Sequence, residues 1–398
     1  MFAAFDNRDY RWLWSERVTS STGFEMVAVA QGWLVQDLTG SALALAGVNA
    51  GRSLAMLLLS PYGGVISDRA EKRDVMRFGR LGIILSTVTV AFLVMIDRIQ
   101  VWHLLASSLL IGMLYAFMMP AQRTIVSDVV ADETVLNALA LNSIGSSLFA
   151  VGATALAGVL IEALGTFGVY YTAAFFYLLA FFCASMLPRT GSAEAEGAAA
   201  TGVALREGLS YLFGKPLLLA LLAVALTRTM VLMPYRTLLP KFSEEVIGVS
   251  ASGLGLLMAA PRLGSLLSSW ATASLGNYRR KGALLLSSGV VAGLALLLFG
   301  VSRHQAVAFI ALMLLGGMGN ICMLTNSTLV QVNTSSALRG RVMSVYIMVW
   351  GLSPLGTMPI GALGDYLGVP ATLLLEGGLL LAVFLALLFL VPKVRRLE

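Results

Sequence analysis

The apolar residues of this chain are gathered into runs far longer than the core of a soluble domain requires. Twelve such runs lie at about 12–36, 41–66, 75–96, 102–125, 137–161, 167–187, 216–240, 250–275, 282–302, 306–330, 341–364 and 369–391. A helix of about 20 apolar residues crosses the ~30 Å hydrocarbon core of a bilayer, and in lipid a backbone must satisfy its own hydrogen bonds. Each run is therefore expected to be a membrane-spanning helix. With 58% hydrophobic and 12% charged residues, and a mean hydropathy of +0.84, the chain lacks the polar side chains to cover a water-facing surface. The expected fold class is an all-α membrane protein of twelve transmembrane helices with the lipid bilayer as partner.

The runs divide six and six. Between them, Gly191-Ser-Ala-Glu-Ala-Glu-Gly-Ala-Ala-Ala-Thr-Gly202 is a small-residue linker with little to bury. The expected organisation is an N-terminal six-helix bundle over 1–188, a cytoplasmic linker over 189–214 and a C-terminal six-helix bundle over 215–398. The halves read as a diverged duplication. Asn49-Ala-Gly-Arg52-Ser-Leu54 in span 2 matches the placement of Ala259-Ala-Pro-Arg262-Leu-Gly264 in span 8, and basic residues follow each, Lys72-Arg73 and Arg279-Arg280-Lys281. Pseudo-symmetric halves are what transporter folds are built from.

Of the 27 Lys and Arg residues, eighteen fall on the side that holds both termini if those are cytoplasmic, among them Arg69, Lys72, Arg73, Arg77, Arg80, Arg280 and Arg341. Only Arg98, Lys241 and Arg303 fall on the other. This positive-inside bias gives the orientation, and it accounts for the net charge of +6 without nucleic acid as a partner. Cys183 and Cys322 lie inside apolar runs, and His103 and His304 at outer loops, so neither a disulfide framework, a metal site nor a nucleophilic triad is expected. No phosphate-binding loop appears, so no ATP hydrolysis, no cofactor and no enzyme are expected. The first run carries Glu16, Arg17 and Glu25, unlike a cleaved signal peptide.

Gly63-Gly64-Val-Ile-Ser-Asp68-Arg69-Ala-Glu-Lys72-Arg73, between spans 2 and 3, resembles the loop at that position in the major facilitator superfamily. Gly32-Trp-Leu-Val35 with Leu38-Thr-Gly-Ser41, Asp128-Val-Val130 leading into Leu136-Asn-Ala-Leu-Ala-Leu-Asn142, and Leu338-Arg-Gly-Arg341-Val-Met-Ser344 are similar to the branch that holds the enterobactin exporter and macrolide efflux pumps, a drug:proton antiporter branch. The resemblance spans nearly the whole chain. There are two departures: the second-half loop, 275–281, has no acid matching Asp68, and Gly152-Ala-Thr-Ala-Leu-Ala-Gly158 lacks the proline common in span 5 of relatives. The resemblance implies a proton-coupled secondary exporter of an amphipathic small molecule, a siderophore or a drug, working by alternating access from a central cavity between the bundles. It also implies a monomer in a multi-pass arrangement in a bacterial inner membrane. An importer or flippase of a metabolite or lipid, and a transporter-like sensor without turnover, are the alternatives.

In such a fold Asp68 is expected to hold the start of span 11 near Arg341, with Gly64 allowing close approach, Arg69 and Lys72 adjoining, Arg73 paired with Asp128, and Arg123 belonging to the same cytoplasmic gate. Glu25, the acid near the middle of span 1, is the candidate proton carrier, since a carboxylate at low dielectric exchanges its proton as its surroundings change. Its structural alternative is a permanent ion pair with a buried arginine. Glu16 and Glu376 are weaker candidates. Arg52, Arg228, Arg236 and Arg262 lie at membrane depth and form an expected basic path for an organic anion, or else pair structurally. Gln31, Asn320 and Asn326 are expected either to hydrogen-bond substrate or to join helices. The glycines and prolines of span 11, Pro354 and Pro359 included, favour bending.

Overall fold

The computed structural model describes residues 3–190, 210–274, 280–335, 338–390, 395 and 397, those at 3, 61, 64–69, 123, 132, 136, 273–274, 344 and 390 by their backbone alone. The described chain is helical: α1 Arg8–Thr39, α2 Ala42–Arg69, α3 Lys72–Met95, α4 Val101–Val129, α5 Val135–Ser185, α6 Pro216–Thr227, α7 Tyr235–Phe242, α8 Ala251–Ser274, α9 Lys281–Val301, α10 Gln305–Val332, α11 Arg339–Gly351, α12 Pro354–Tyr366 and α13 Val369–Leu390. Among the described residues nine helical stretches are long and apolar enough to cross a membrane, and one of them, Asn137–Ser185, holds two helices. The two meet at Gly165 (φ 76°, ψ 174°), a conformation in which a Cβ would be strained. With α1, whose charged residues lower its hydropathy, and α8, the set is compatible with twelve spans.

Two expected spans are not single helices. Span 7 runs as α6, a π-helical turn over Arg228–Leu232, a break at Met233-Pro234, α7, and a second π-helical turn over Ser243–Ile247. Pro234 has no N–H to give, so the ladder is interrupted and a new helix starts from Tyr235. Span 11 breaks at Leu352-Ser353, and Pro354 opens α12 as its first residue.

Contacts divide the chain into two compact units, Met1–Thr39 with Gly47–Ala198, and Gly40–Ala46 with Ala199–Glu398. The short segment at the start of α2 groups with the second unit because Asp365 of α12 caps it. The carboxylate accepts the N–H groups of Ala42 (2.9 Å) and Leu43 (3.0 Å) and the Ser41 hydroxyl, and Lys241 donates to it at 2.8 Å. An acid at a helix N-terminus satisfies donors that have no partner within the helix.

In the first unit the N-terminus is pinned to the starts and ends of other helices. Asn7 Nδ2 donates to the Val129 carbonyl (2.6 Å), Tyr10 Oη to the Ala138 carbonyl (2.8 Å), Trp14 Nε1 to the Leu141 carbonyl (3.1 Å), and the Ala4 N–H to Asn137 Oδ1 (3.2 Å). Tyr10, Leu13, Met76, Ile125, Ala138 and Leu187 form the apolar cluster beneath. The Leu136–Asn142 stretch singled out in the sequence is thus the dock for the chain's first turns.

Each unit brings two of its helices together over glycine. A Cβ on Gly112 of α4 would overlap the backbone of Arg52 in α2, and a Cβ on Gly316 of α10 would overlap the backbone of Pro261, next to Arg262, in α8. The two segments paired in the sequence as a duplication therefore make the same kind of close approach, span 2 to span 4 and span 8 to span 10. In the second unit α9 also packs on α13, where Gly289 faces Phe384 and Gly293 faces Leu381.

Candidate functional site

The first unit carries a buried line of charge along α1. Glu16, Ser20 and Gly23 recur at i, i+4 and i+7, one face of a helix. Arg80 of α3 donates to Glu16 Oε1 through Nε (2.8 Å) and Nη2 (2.6 Å), and Nη2 also donates to Ser20 Oγ (2.8 Å). Both partners are buried, at 0% and 1% exposure, and Arg80 stands over the Tyr115 ring at 5.9 Å. Each charge is the other's counter-ion, and separating them would strand a charge in low dielectric. Arg80, counted above with the basic residues of one side, is buried in the bundle, its guanidinium turned inward to the acid on a neighbouring helix.

Further along α1, Gly23 lets the helix approach Ala173 and the Tyr177 ring. There Arg52 stands over the Phe24 ring at 4.9 Å, the Tyr115 ring meets Phe24 edge-on at 6.1 Å, and the carboxyl of Glu25 lies within electrostatic reach of the guanidinium. Glu25 is buried, and so is Tyr177. The structure therefore brings the expected proton carrier near one of the four expected basic groups.

The second unit has a different arrangement. Arg228, in the π-helical turn, is buried and lies 5.3 Å from the centre of the Trp350 ring. Among the described residues no carboxylate forms an ion pair with it. Arg236 is exposed and lies 6.0 Å from the Tyr235 ring, and Arg262 is half-buried. Trp350 and Tyr346 are four residues apart, so they share a face of α11.

The three amides expected at substrate are engaged between helices. Gln31 Nε2 donates to Asn49 Oδ1 (3.1 Å), and Gln31 Oε1 accepts from Ser108 (3.4 Å). Asn320 Nδ2 donates to the Ser265 carbonyl, Ser268 Oγ and Ser269 Oγ at 2.9–3.1 Å, and Asn326 Nδ2 to the Leu221 carbonyl (3.1 Å) and Tyr346 Oη (3.3 Å). These bonds join spans, the second of the two roles open to them. Asn326 Oδ1 is buried without a partner.

At the expected cytoplasmic gate, Asp128 is held by Lys72 at 2.6 Å. This corrects the expected Arg73 pairing: Lys72 opens α3 and reaches the end of α4, while the buried Arg73 Nε has no hydrogen-bond partner. Arg341 is exposed in the first turn of α11. The side chains of Gly64, Asp68, Arg69 and Arg123 lie outside the described residues, and so does the 275–279 part of the second-half loop.

Sequence reasoning passed over Arg80, Tyr115, Tyr177, Tyr346, Trp350 and Asp365. The i, i+4 spacing of Tyr346 and Trp350 was a readable signal. The rings of Tyr115 and Tyr177 were not, because an aromatic residue in an apolar span looks the same whether it faces lipid or an arginine. Among the described residues no cluster of side chains is arranged to hold a metal.

A family described as transmembrane secretion effector matches residues 1–398. The multidrug efflux pump Tap of Mycolicibacterium fortuitum is 26% identical, over 96% of this chain and 95% of that protein. The staphyloferrin A transporter of Staphylococcus aureus is 24% identical, over 88% of each, and the enterobactin exporter EntS of Citrobacter koseri 28%, over 86% and 82%. Among solved structures, the nucleoside transporter NupG superposes with a TM-score of 0.79 at 12% identity, over 95% of this chain and 99% of that one.

Proposed function

Because the chain belongs to the transmembrane secretion effector family of the major facilitator superfamily, we propose that it is a proton-coupled secondary exporter of amphipathic small molecules, working by alternating access. It is a membrane transporter and not an enzyme. The efflux and siderophore relatives support an amphipathic drug or siderophore as cargo.

The observation that carries the reading is the buried Glu25 in the field of Arg52. Protonation of Glu25 cancels its attraction for Arg52, and release of the proton restores it, so proton exchange changes the forces between α1 and α2. The sign of coupling decides where cargo binds. An anion seated at Arg52 would replace Glu25 as counter-charge and favour the protonated acid, so that proton and anion bind together, as in symport. Export driven by inward proton flow needs the opposite. We therefore assign the proton to Glu25 with Arg52, and the anionic group of the cargo to Arg228. There a guanidinium that forms no ion pair among the described residues lies by an indole ring, which suits a molecule that is both charged and apolar.

The remaining parts of the reading are a monomer with both termini in the cytoplasm of a bacterial cell. The 1–188 and 215–398 bundles, the basic path of Arg236 and Arg262 and the cytoplasmic gate of Gly64, Asp68, Arg69, Lys72, Arg73, Arg123, Asp128 and Arg341 belong to the same reading. The test is export by purified protein in liposomes under an imposed pH gradient, with siderophores, macrolides and lipids as cargo. Glu25→Gln is expected to abolish uphill export while leaving counterflow. Arg228→Gln is expected to weaken an anionic cargo by about 10–150-fold, the loss of a hydrogen bond to a charged group worth ~1.5–3 kcal/mol, and to spare a neutral one. Uphill export at the wild-type rate by Glu25→Gln removes Glu25 from the coupling; equal losses for both cargoes in Arg228→Gln make Arg228 structural.

A further inference from the structure

Glu376 sits in the third turn of α13, a helix that carries no other charged residue. It is 1% exposed, and both carboxyl oxygens are buried without a hydrogen-bond partner. The elements packed against α13 are α9, α12, α7 and the π-helical turn 228–232. On α9 the one charged residue is Lys281, at its far end, while Gly377 faces Leu297. Sixteen residues of helix separate those levels, roughly 24 Å at ~1.5 Å per residue. On α12, Asp365 and Lys241 of α7 are bonded to each other, and Tyr366 is exposed. The turn 228–232 carries Arg228, which lies by Trp350 and Tyr346; α7 carries Arg236, which is exposed, and Tyr235. The neighbouring donor is the Tyr235 backbone N–H, which stands close to the carboxyl but short of hydrogen-bonding geometry.

That backbone is at the break in span 7. Tyr235 is the first residue of α7, so its N–H has no acceptor one turn back and carries part of the positive end of the helix. A carboxylate whose oxygens have no hydrogen-bond partner is an uncompensated charge in low dielectric, and a bound proton removes that charge. The same carboxylate becomes tolerable if α7 moves far enough for the Tyr235 N–H to bond it. The break and its flanking π-helical turns supply an element that can shift without unwinding a continuous helix.

From this geometry we infer that Glu376 is a proton-binding site, separate from Glu25, whose ionisation draws the start of α7 toward α13 and so ties protonation to the shape of span 7. The inference adds to the proposed proton-driven export a second titrating group, and it can be tested whether or not that export occurs.

Infrared difference spectroscopy of the purified protein in lipid, titrated from acid to alkaline pH, reads the protonated carboxyl directly. The expected result is a C=O stretch of a weakly bonded carboxylic acid that is present at neutral pH in wild type and in Glu25→Gln, absent in Glu376→Gln, and lost on alkalinisation. Hydrogen exchange at the Tyr235 amide should slow as that band is lost, in wild type but not in Glu376→Gln. Glu376→Asp, which keeps a shorter acid, serves as the second variant if Gln lowers the yield, and its band should move rather than vanish. A spectrum unchanged by Glu376→Gln, or an exchange rate at Tyr235 that does not follow the band, overturns the inference. Failure of pH-driven export with the band intact would instead refute the exporter reading and leave Glu376 standing.

Discussion

Cutting the Glu16–Arg80 pair on one side should cost far more than removing it whole. Glu16→Ala leaves the Arg80 guanidinium, at 0% exposure, with Ser20 as its remaining hydrogen-bonded side chain and one nitrogen, Nη1, already unpartnered. Breaking a buried pair from one side costs about 3–5 kcal/mol, because the surviving charge is neither solvated nor paired. Replacing both residues by apolar ones of similar size, as in Glu16→Leu with Arg80→Met, removes that charge and is expected to be near neutral. For a cooperative unit of ~150–250 residues, 1 kcal/mol moves the melting temperature by about 2–4 °C. The single variant should therefore melt about 6 °C or more below wild type, and the double variant should recover most of the loss. The assay is thermal unfolding of the purified protein in detergent, followed by a buried-cysteine probe. Cys183, buried in the same unit, is a suitable reporter. A single variant that melts within ~2 °C of wild type, or a double variant no better than the single, would refute the argument that this pair is sealed from water and mutually dependent.

Three further outcomes follow from the same kind of reasoning. Asp365→Asn keeps the size of the cap but loses its charge, so it should cost about 1–2 kcal/mol, the sum of an N-terminal dipole contact and a partly exposed pair with Lys241, and should raise hydrogen exchange at Ala42 and Leu43; unchanged exchange at both amides contradicts the capping. Gly112→Ala puts a methyl group into the Arg52 backbone and should cost about 1–3 kcal/mol, whereas Gly152→Ala, with nothing within 4 Å of its added Cβ, should be tolerated; equal effects on folded yield and melting would show that the α2–α4 approach is not close. Cysteines placed at Arg98 or Arg303 should react with an impermeant reagent added outside intact cells, and one at Arg280 should not; the reverse pattern inverts the topology.

Much of the fold was legible in the sequence because a bilayer leaves few choices. Apolar runs of about 20 residues must be helices, and the bias of Lys and Arg between alternate loops gives a direction to them. The likeness of the Arg52 and Arg262 segments also pointed to related packing, and both segments meet a glycine on a neighbouring helix. Inside the spans the periodic signal was weak, since nearly every face is apolar and the pattern that separates core from surface in a soluble helix is missing. Thus nothing in the sequence marks Arg80 as the partner of Glu16 and Ser20, or separates Lys72 from its neighbour Arg73 as the partner of Asp128.

The sequence alone determined that this is a membrane protein of about a dozen helices in two related halves, with acids and arginines at depths where they need a reason to be. Tertiary structure decided what those charges face. Glu16 meets Arg80, Glu25 lies in the field of Arg52, Arg228 lies by the Trp350 ring, and among the described residues neither Arg228 nor Glu376 has an ion pair. The physical reason is that the energy of a charge in low dielectric is set by groups within a few ångströms, and in a helical bundle those groups come from other helices, far away along the chain.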